Sequence, residues 1–442
     1  MHFKNKRLAA ILSCFVFTSV VYSQQVKFTE YNLSNGLHVI LHQDKSTPVV
    51  AVTVLYHVGS KNEEVGRTGF AHFFEHLLFE GTDNIKRGEF MKYVSSNGGQ
   101  NNANTTQDRT FYYEVFPSNQ LKLGLWLESE RMLHPVINEI GVKTQNEVVK
   151  EEKRLRIDNQ PYGHIIGEVF SRLFTKHPYR WQTIGSMEDL DAAKLEEFRT
   201  FFKKYYVPNN AVLTITGDID IAKTKDLVTE YFNDIPKAAP VVQPSIMDNP
   251  ITKEIVDSAY DSNIKIPAVM AAYRTPGKAT HDSKVLGMIS TYLSVGASSK
   301  LFKKMVDEKK NALQVGAFNY SLEDYGAYIT YALPTNNTPL KDLLKDIDDE
   351  VSKVQNDLIS EQDYKKLMNI EENNFVSSNA RMLGVAENLS NSYVYEKNTN
   401  YINDELNEIR KITREEIRAV AQKYLNKNQR VVLYYLPKST DQ

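Results

Sequence analysis

The distribution of apolar residues predicts a first half that begins with β-strands and continues with helices. Short apolar runs predict strands over 26–33, 37–42 and 49–58, with Asn35-Gly36 as the hairpin turn between the first two. Apolar positions that recur every three or four residues predict helices further along. The elements predicted next are a helix over 68–79, a polar Gly/Asn-rich loop over 97–107, an edge strand over 110–116, helices over 119–133 and 137–158, a helix ending near Tyr206 and a strand over 211–216.

A proline-rich stretch then divides the chain. Residues 236–250 read PKAAPVVQPSIMDNP, with four prolines and little periodicity, which is typical of an interdomain linker. Beyond it, the elements predicted are a strand over 268–273, a helix over 283–293, a helix over 414–425 and a strand over 430–436.

The two ends of these halves resemble each other. FFKKYYVPNNAVLTITG around Tyr206 parallels VAQKYLNKNQRVVLYYLP around Tyr424, and each reads as a helix, an Asn-containing turn and an apolar strand. The displacement is about 219 residues, roughly half of the chain, which favours an internal duplication. We predict a signal peptide at 1–23, an N-terminal metal-bearing domain at 24–235, a linker at 236–252 and a homologous C-terminal domain without a metal site at 253–442.

The first 23 residues have the order of a secretory signal peptide. Lys4, Lys6 and Arg7 precede the apolar run LAAILSCFVFTSVV, and small residues follow it. The apolar core of about 14 residues is shorter than the roughly 20 that a spanning helix needs, so we expect cleavage and export to the periplasm or the exterior. Cys14 lies within this run, and a lipid anchor at Cys14 stays an alternative.

The remaining composition narrows the class of protein. Cys14 is the only cysteine, so the mature chain contains neither disulfides nor a cysteine-liganded metal site. Loss of the three basic residues changes the net charge from −2 to about −5, with charges of both signs interspersed. Such a chain has no basic patch for nucleic acid, and no later apolar run is long enough to span a bilayer.

The segment GFAHFFEHLLFEGT carries the candidate chemistry. His72 and His76 are four residues apart, and Glu75 lies three residues after His72, so a helix places all three side chains on one face. Two imidazoles on successive turns can hold one metal ion, and a neighbouring carboxylate can accept a proton from activated water. The pattern is HxxEH, the inverted form of the zincin motif. Partly buried structural histidines are the alternative.

A catalytic zinc site needs a third protein ligand, for which the helix NEVVKEEKRLRID offers candidates. At about 100° per residue, Val148, Val149 and Leu155 define an apolar face with Glu152 near its centre, whereas Glu151 lies about 85° to one side. Glu152 is therefore the predicted inward carboxylate. Gln145, two turns earlier on the same face, is predicted to hydrogen-bond one of the metal-binding side chains without binding the metal itself.

HFFEH followed by Glu152 resembles the pitrilysin/insulysin family of zinc peptidases, which includes the mitochondrial processing peptidases and smaller bacterial relatives. The likeness continues through GGQNNANTTQDRTFYY, DNQPYG, YYVPNNAVLTITGD and SSKLFKKMVDEKKNALQVGAF, and so covers essentially the whole mature chain. The resemblance implies an α+β fold of two homologous domains, each a mixed β-sheet with helices packed on one face, facing across a chamber. It implies a metalloendopeptidase with one Zn²⁺ per chain.

The resemblance also implies roles for other residues. Asn102 and Ala103 match a sheet edge that pairs with the substrate backbone. In family members with a complete site, the facing domain carries an Arg and, seven residues later, a Tyr; here Val306 and Leu313 align with them. We therefore expect a homologous partner subunit that supplies the pair, in a heterodimer or otherwise a homodimer. Alternatively, Tyr320 or Tyr325 provides the missing contact, or zinc suffices.

Two other functions and more than one metal are compatible with these residues. Members of the same fold that lose metal ligands act as non-catalytic peptide-binding or scaffold subunits, and a periplasmic peptide-binding protein could use the same chamber without hydrolysis. The intact His72, Glu75, His76 and Glu152 set favours the peptidase. An N/N/O site also accepts manganese or cobalt, so the ligands alone do not fix the metal.

Overall fold

The computed structural model describes residues 25–335 and 337–438. The predicted signal peptide and Cys14 lie outside these residues. Within them, no helix combines the length and apolarity needed to cross a bilayer.

The first sheet is mixed and has six strands in the order β1-β2-β6-β3-β5-β4. β2 and β6 run parallel, and the other neighbouring strands run antiparallel. Its strands are β1 (Thr29–Asn32), β2 (His38–Gln43), β3 (Val49–Tyr56), β4 (Gln100–Thr105), β5 (Thr110–Pro117) and β6 (Ala211–Gly217). β3 and β6 are apolar and almost wholly buried, as central strands covered on both faces must be.

The described part of the first half contains eight α-helices. They are α1 (Phe70–Leu77), α2 (Phe90–Ser96), α3 (Leu121–Leu133), α4 (Glu139–Lys153), α5 (Ile165–Leu173), α6 (Met187–Ala192), α7 (Leu195–Tyr205) and α8 (Ile221–Phe232). The main core lies between the sheet and helices α1, α3, α7 and α8, where Phe73, Leu125, Phe198 and Val228 are buried together.

The second sheet has five strands in the order β7-β11-β8-β10-β9. Its strands are β7 (Ile255–Asp261), β8 (Ala268–Pro276), β9 (Ala312–Ser321), β10 (Tyr325–Pro334) and β11 (Arg430–Pro437). The helices of this half are α9 (His281–Ser294), α10 (Leu340–Asn356), α11 (Glu361–Ser378), α12 (Met382–Glu396), α13 (Tyr401–Lys411) and α14 (Arg414–Tyr424).

The two sheets repeat one topology. β7 and β11 are the parallel pair, and β8, β10 and β9 follow antiparallel, in the same arrangement as β2, β6, β3, β5 and β4. The helix, turn and strand around Tyr206 and around Tyr424 occupy equivalent places in the two halves. This agrees with the internal duplication predicted from the sequence, and the predicted fold of two mixed sheets with helices is confirmed.

Each half also covers the outer face of the opposite sheet. Val385 and Leu389 of α12 pack on Ile40 and Val212 of the first sheet. In return, α5 packs on the second sheet, where Val169 and Phe170 join a core with Met270, Ala272 and Leu433. Both sheets are therefore buried on both faces, and neither half completes its packing without the other.

Two local predictions change. The strand predicted at the edge, 110–116, is β5 and lies one place inside. The edge strand is β4, for which the polar composition predicts a loop. The proline-rich stretch has no helix or strand, as predicted, but its Asp248 accepts hydrogen bonds from the N–H groups of Thr175 and His177, at 3.1 and 2.9 Å. This linker is therefore fixed against the first half.

A buried ionic cluster joins the halves at the turn between β9 and β10. Lys61, with 1% of its side chain exposed, lies 2.6 Å from Glu323 and 3.4 Å from Asp324 in that turn. His57 contacts Glu323 at 2.6 Å, and Asp108 accepts a hydrogen bond from the Glu323 N–H at 2.8 Å. Burial alone would raise the pKa of Glu323, but His57 and Lys61 hold it at about 2.

This cluster predicts a specific loss of stability in acid. A carboxyl whose folded pKa lies below its unfolded value stabilises the fold above the unfolded value, 4.5, and the stabilisation disappears as the pH falls towards about 2. Glu323→Gln removes this group from the titration. Between about pH 7 and about pH 3.5, we expect urea unfolding to show the variant losing about 1 to 2 kcal/mol less free energy of unfolding than the wild type. Equal losses would contradict the assignment.

Candidate metal centre

The start of helix α1 is fixed by its N-cap glycine and by a carboxylate from the preceding loop. Gly69, its N-cap, has a φ of +91°, and a Cβ there would lie 2.7 Å from the Ile184 carbonyl oxygen, so only glycine fits. Both carboxylate oxygens of Glu63 accept hydrogen bonds, from the N–H groups of Gly69 and Ala71, each at 2.9 Å. Glu63 is buried, and this burial raises its pKa well above the ordinary range. The helix start is thus anchored by a side chain from the preceding loop.

His72 and His76 present their Nε2 atoms to Glu152 of α4. The distances from Glu152 Oε2 are 3.5 Å to His72 Nε2 and 3.0 Å to His76 Nε2. Among the residues that the structure describes, these three form the one group of His, Cys, Asp or Glu side chains close enough to hold a metal ion, with ligand atoms within 4.8 Å of one another. Tetrahedral zinc with N and O ligands at about 2.0 to 2.2 Å separates those ligand atoms by about 3.4 Å, which the contacts approximate.

The protonation states also fit a metal. Burial and the neighbouring His76 lower the pKa of His72 to about 4, so its imidazole is neutral at pH 7. The contact with His76 lowers the pKa of Glu152, which is therefore ionised. Glu152 Oε2 and His72 Nδ1 are buried, and neither has a partner in full hydrogen-bonding geometry among the described residues, although His76 Nε2 lies 3.0 Å from Glu152 Oε2. Neutral imidazole and ionised carboxylate are the forms that bind metal, and a cation satisfies the orphaned oxygen.

Glu152 points inward, although not for the reason that the helix pattern suggested. Its side chain is 16% exposed and that of Glu151 is 56% exposed, as predicted. However, Val148 and Leu155 are 43% and 57% exposed, so only Val149 of the predicted apolar face is buried. Leu155 lies in a π-helical turn over Arg154–Asp158, where the wider turn changes the phase of the helix.

Glu75 lies between the two histidines and is held from the sheet edge. Thr105 at the end of β4 donates a hydrogen bond from Oγ1 to Glu75 Oε2 at 2.6 Å. Burial raises the pKa of Glu75, and this hydrogen bond opposes the rise. The carboxylate therefore has a defined position beside the three candidate ligands.

The remaining predicted site residues have mixed outcomes. Gln145 Nε2 donates to Glu80 Oε1 at 2.5 Å and does not hydrogen-bond His72, His76 or Glu152, so its predicted contact with a ligand is absent. Gln145 lies two turns before Glu152 on α4, beside Glu80, which follows α1. Asn102 and Ala103 lie on the free edge strand β4 and pair only with β5 within the first sheet.

The residues of the second half that were considered for the site lie in different places. Val306 packs against the core of its own half, and Leu313 is 54% exposed on β9. Neither lines the cavity beside His72, whereas Tyr320 of β9 does. Tyr325 instead approaches the linker, where the N–H of Asp248 donates to its hydroxyl at 3.2 Å.

Two contacts were not foreseen from the sequence. Thr105 holds Glu75, and Arg156 Nη1 contacts Glu152 Oε1 at 2.8 Å. The Arg156 contact has a readable signal, since residues four apart on a helix meet. Thr105 has none, because the contact depends on how β4 is placed over α1.

Comparison with known proteins agrees with this geometry. A family model described as "Insulinase (Peptidase family M16)" matches residues 38–185, which include all four candidate residues, and one described as "Peptidase M16 inactive domain" matches residues 192–371. The zinc protease PqqE of Helicobacter pylori is 31% identical over 388 residues, 85% of this chain and 86% of that protein. The chain belongs to the insulinase family, peptidase family M16.

Solved structures of M16 relatives share the fold. A crystal structure of a protease from Helicobacter pylori has a TM-score of 0.89 and 28% identity, over 93% of this chain and all of that one. The periplasmic protease PqqL of Escherichia coli, at 17% identity and a TM-score of 0.77, matches 94% of this chain but 48% of its own length. That relative therefore contains a further segment of about the size of this M16 chain.

The two adjacent carboxylates of α4 provide a matched test of the third ligand. We expect Glu152→Ala to lose most of the bound zinc after dialysis, because the removed oxygen is the one shared by both imidazoles. Glu151→Ala should keep a full equivalent, because Glu151 is exposed and pairs with Arg154 at 3.1 Å. Metal analysis of both purified variants gives the answer. Loss of zinc from Glu151→Ala alone would refute the assignment.

Proposed function

We propose that this M16 chain is a zinc-dependent endopeptidase that cleaves peptides or small unfolded proteins, with His72, His76 and Glu152 as ligands and Glu75 as the general base. The observation that carries the proposal is the convergence of two imidazole Nε2 atoms on one carboxylate oxygen, at 3.0 and 3.5 Å. The names of the relatives support zinc and proteolysis, since PqqE is called a zinc protease.

In the proposed reaction, different residues of the chain have different roles. A bound zinc ion supplies Lewis-acid activation of water and of the scissile carbonyl. Glu75 accepts the proton of the attacking water and later delivers it to the leaving amine, which general acid–base catalysis requires of a positioned carboxylate. Thr105 fixes the orientation of Glu75. The free edge of β4, at Asn102 and Ala103, holds an extended substrate by main-chain hydrogen bonds, which suits substrates of varied sequence.

The test is Glu75→Gln, which preserves shape and removes basicity. We expect the variant to retain a full equivalent of zinc and to lose at least about a hundredfold in turnover of a quenched fluorescent peptide. A chelator should abolish wild-type turnover, and added zinc should restore it. Retention of more than about a tenth of wild-type turnover by the variant would exclude Glu75 as the base.

The alternative is a non-catalytic peptide-binding or scaffold subunit. The family model over 192–371 carries the description "inactive domain", which suits a second half without a metal site. That description applies to the part of the chain beyond the four candidate residues. If the wild-type protein holds a full equivalent of zinc but cleaves no peptide, the result favours the alternative.

We further propose that the chain is exported and works with a homologous subunit. The signal-like N-terminus supports export, and PqqL is described as periplasmic. Val306 and Leu313, which align with the Arg and Tyr of complete sites, cannot donate hydrogen bonds from their side chains. A facing subunit that carries this pair would supply donors to the developing oxyanion.

Co-expression of this chain with a homologous subunit tests whether that subunit is needed for activity. Each donor to an oxyanion is worth about 2.7 to 4 kcal/mol, so adding a subunit that carries the pair should raise turnover about a hundredfold or more over the chain alone. Size-exclusion chromatography with light scattering should show a heterodimer in the active fraction. Full turnover as a monomer or homodimer, unchanged by the second subunit, would contradict this proposal.

A further inference from the structure

The second sheet ends at β7, where the first sheet has an additional strand. β7 takes the place of β2 in the duplicated topology, but β1, which pairs with β2, has no counterpart among the described strands of the second half. We propose that the outer edge of β7 pairs with the same edge of a second copy of this chain, antiparallel and about a two-fold axis at Ser258. The second sheets of the two copies then join into one continuous sheet.

The corner of the sheet at β7 also lacks the helix that covers its equivalent. In the first half, α8 follows β6, and its Val228 and Phe232 are buried in the core beside β2. No helix follows β11 up to residue 438, the last that the structure describes. Val256 and Tyr260 of β7, which alternate along the strand and so share one face, are 57% and 65% exposed. An edge strand with exposed apolar side chains is a template for pairing with another chain.

The order of residues along β7 is self-complementary. When Ser258 of one copy lies opposite Ser258 of the other, Val256 of each copy lies opposite Tyr260 of the other. The dimer therefore contains two identical pairs of an aromatic and a β-branched side chain, and such cross-strand pairs stabilise antiparallel strands. This self-complementarity favours a second copy of the chain as the occupant of the edge, because a two-fold interface uses the same surface on both partners.

The acidic residues of β7 select this register against its neighbours. With the axis at Ser258, Asp257 lies opposite Ala259. Asp261 then lies opposite Ile255. Moving the axis to residue 257 places Asp257 opposite its own copy, and moving it to residue 259 places Asp257 opposite Asp261. Like charges directly opposite each other destabilise a strand pair, so the axis at Ser258 is preferred to either neighbour.

The contacts at this edge in the single chain are weak enough to be exchanged. The Ser258 N–H donates to Asp257 Oδ1 at 2.8 Å, in an exposed contact. Arg172 of α5 pairs with the same carboxylate at 2.6 Å, which offsets its charge. β7 has seven residues, and a strand pair of that length buries less area than the roughly 1,200 to 2,000 Å² of stable interfaces. We therefore expect a dissociation constant of roughly 1 to 100 µM.

Pairing at β7 leaves the metal centre accessible. β7 and β9 lie at opposite ends of the second sheet, and Tyr320 of β9 is the residue that lines the cavity beside His72. The dimer therefore requires neither zinc nor hydrolysis, and it leaves room for a homologous subunit that faces the metal centre. Its failure would not affect the proposed function, and failure of the proposed function would not affect the dimer.

Introduced cysteines report the pairing directly, because the predicted mature chain contains none. Residues opposite each other in antiparallel strands have Cα atoms about 4.5 to 5.5 Å apart, within the range of about 4.4 to 6.8 Å that a disulfide spans. With diamide as the two-electron oxidant, we expect Ser258→Cys to form a disulfide-linked dimer at least about tenfold faster than Ser95→Cys on the exposed face of α2, since pairing raises the effective thiol concentration. A rate no higher than that of Ser95→Cys would overturn the proposal.

Two further cysteines test the register. Val256→Cys and Tyr260→Cys should cross-link with each other when the two variants are mixed, because these positions lie opposite each other. Neither variant should cross-link with itself at that rate, since identical positions are then four residues apart along the strands, about 13 Å, beyond the reach of a disulfide. Self-linking of either variant as fast as the mixture would overturn the proposed register and, with it, the proposal.

The association should also be measurable without cross-linking. In sedimentation velocity of the metal-free wild type between about 1 and about 200 µM, we expect a shift from monomer to dimer. Tyr260→Lys should weaken the association at least about tenfold, because lysine on an edge strand opposes pairing, whereas Leu313→Lys on β9 should not. Both positions are exposed, and circular dichroism and thermal unfolding check that both variants are folded. A monomer at every concentration, or an equally stable dimer of folded Tyr260→Lys, would overturn the proposal.

Discussion

The structure depends on placing three ionisable side chains of one short helix close to a buried core. Helix α1 packs Phe73 and Phe74 into the main core, while His72, Glu75 and His76 occupy its other face. Partly buried charge is costly unless it is compensated, and each compensation comes from a different element. Thr105 of the edge strand holds Glu75, and Glu152 of α4 faces both histidines. Glu63 separately anchors the backbone at the start of the helix.

This requirement explains why the two halves interlock. A site assembled from α1, β4 and α4 keeps its shape only if those elements stay in register. The exchange of α5 and α12 between the sheets buries apolar surface on the two outer faces, and the Lys61 cluster fixes the turn of the second half beside the first. Burying Lys61 is tolerable because three carboxylates lie within 3.4 Å of its ammonium group. Rigidity at the metal centre is therefore a property of both halves.

The sequence predicted what local pattern and spacing determine. The HxxEH spacing located the face of α1, and the matching segments around Tyr206 and Tyr424 located the repeat. The edge strand was missed from composition because QNNANT lacks β-branched apolar residues; its strand conformation comes from pairing with β5. Glu152 was predicted as the inward carboxylate from a face of which Val148 and Leu155 are exposed. The α4 pattern does not record the π-helical turn, which changes the phase of the helix at Leu155.

The duplicated half shows what α1 would be without its chemistry. By topology, α9 follows β8 as α1 follows β3, and both helices bury apolar residues, but α9 (His281–Ser294) has no second histidine and no HxxEH pattern. A helix without that ionisable face needs no counterpart to Thr105 or Glu152. Strand β9, the counterpart of β4, then has no catalytic carboxylate of its own half to hold, and its end places Tyr320 beside the metal centre of the first half. The equivalent strands of the two halves thus both reach the one metal centre, β4 through Thr105 and β9 through Tyr320.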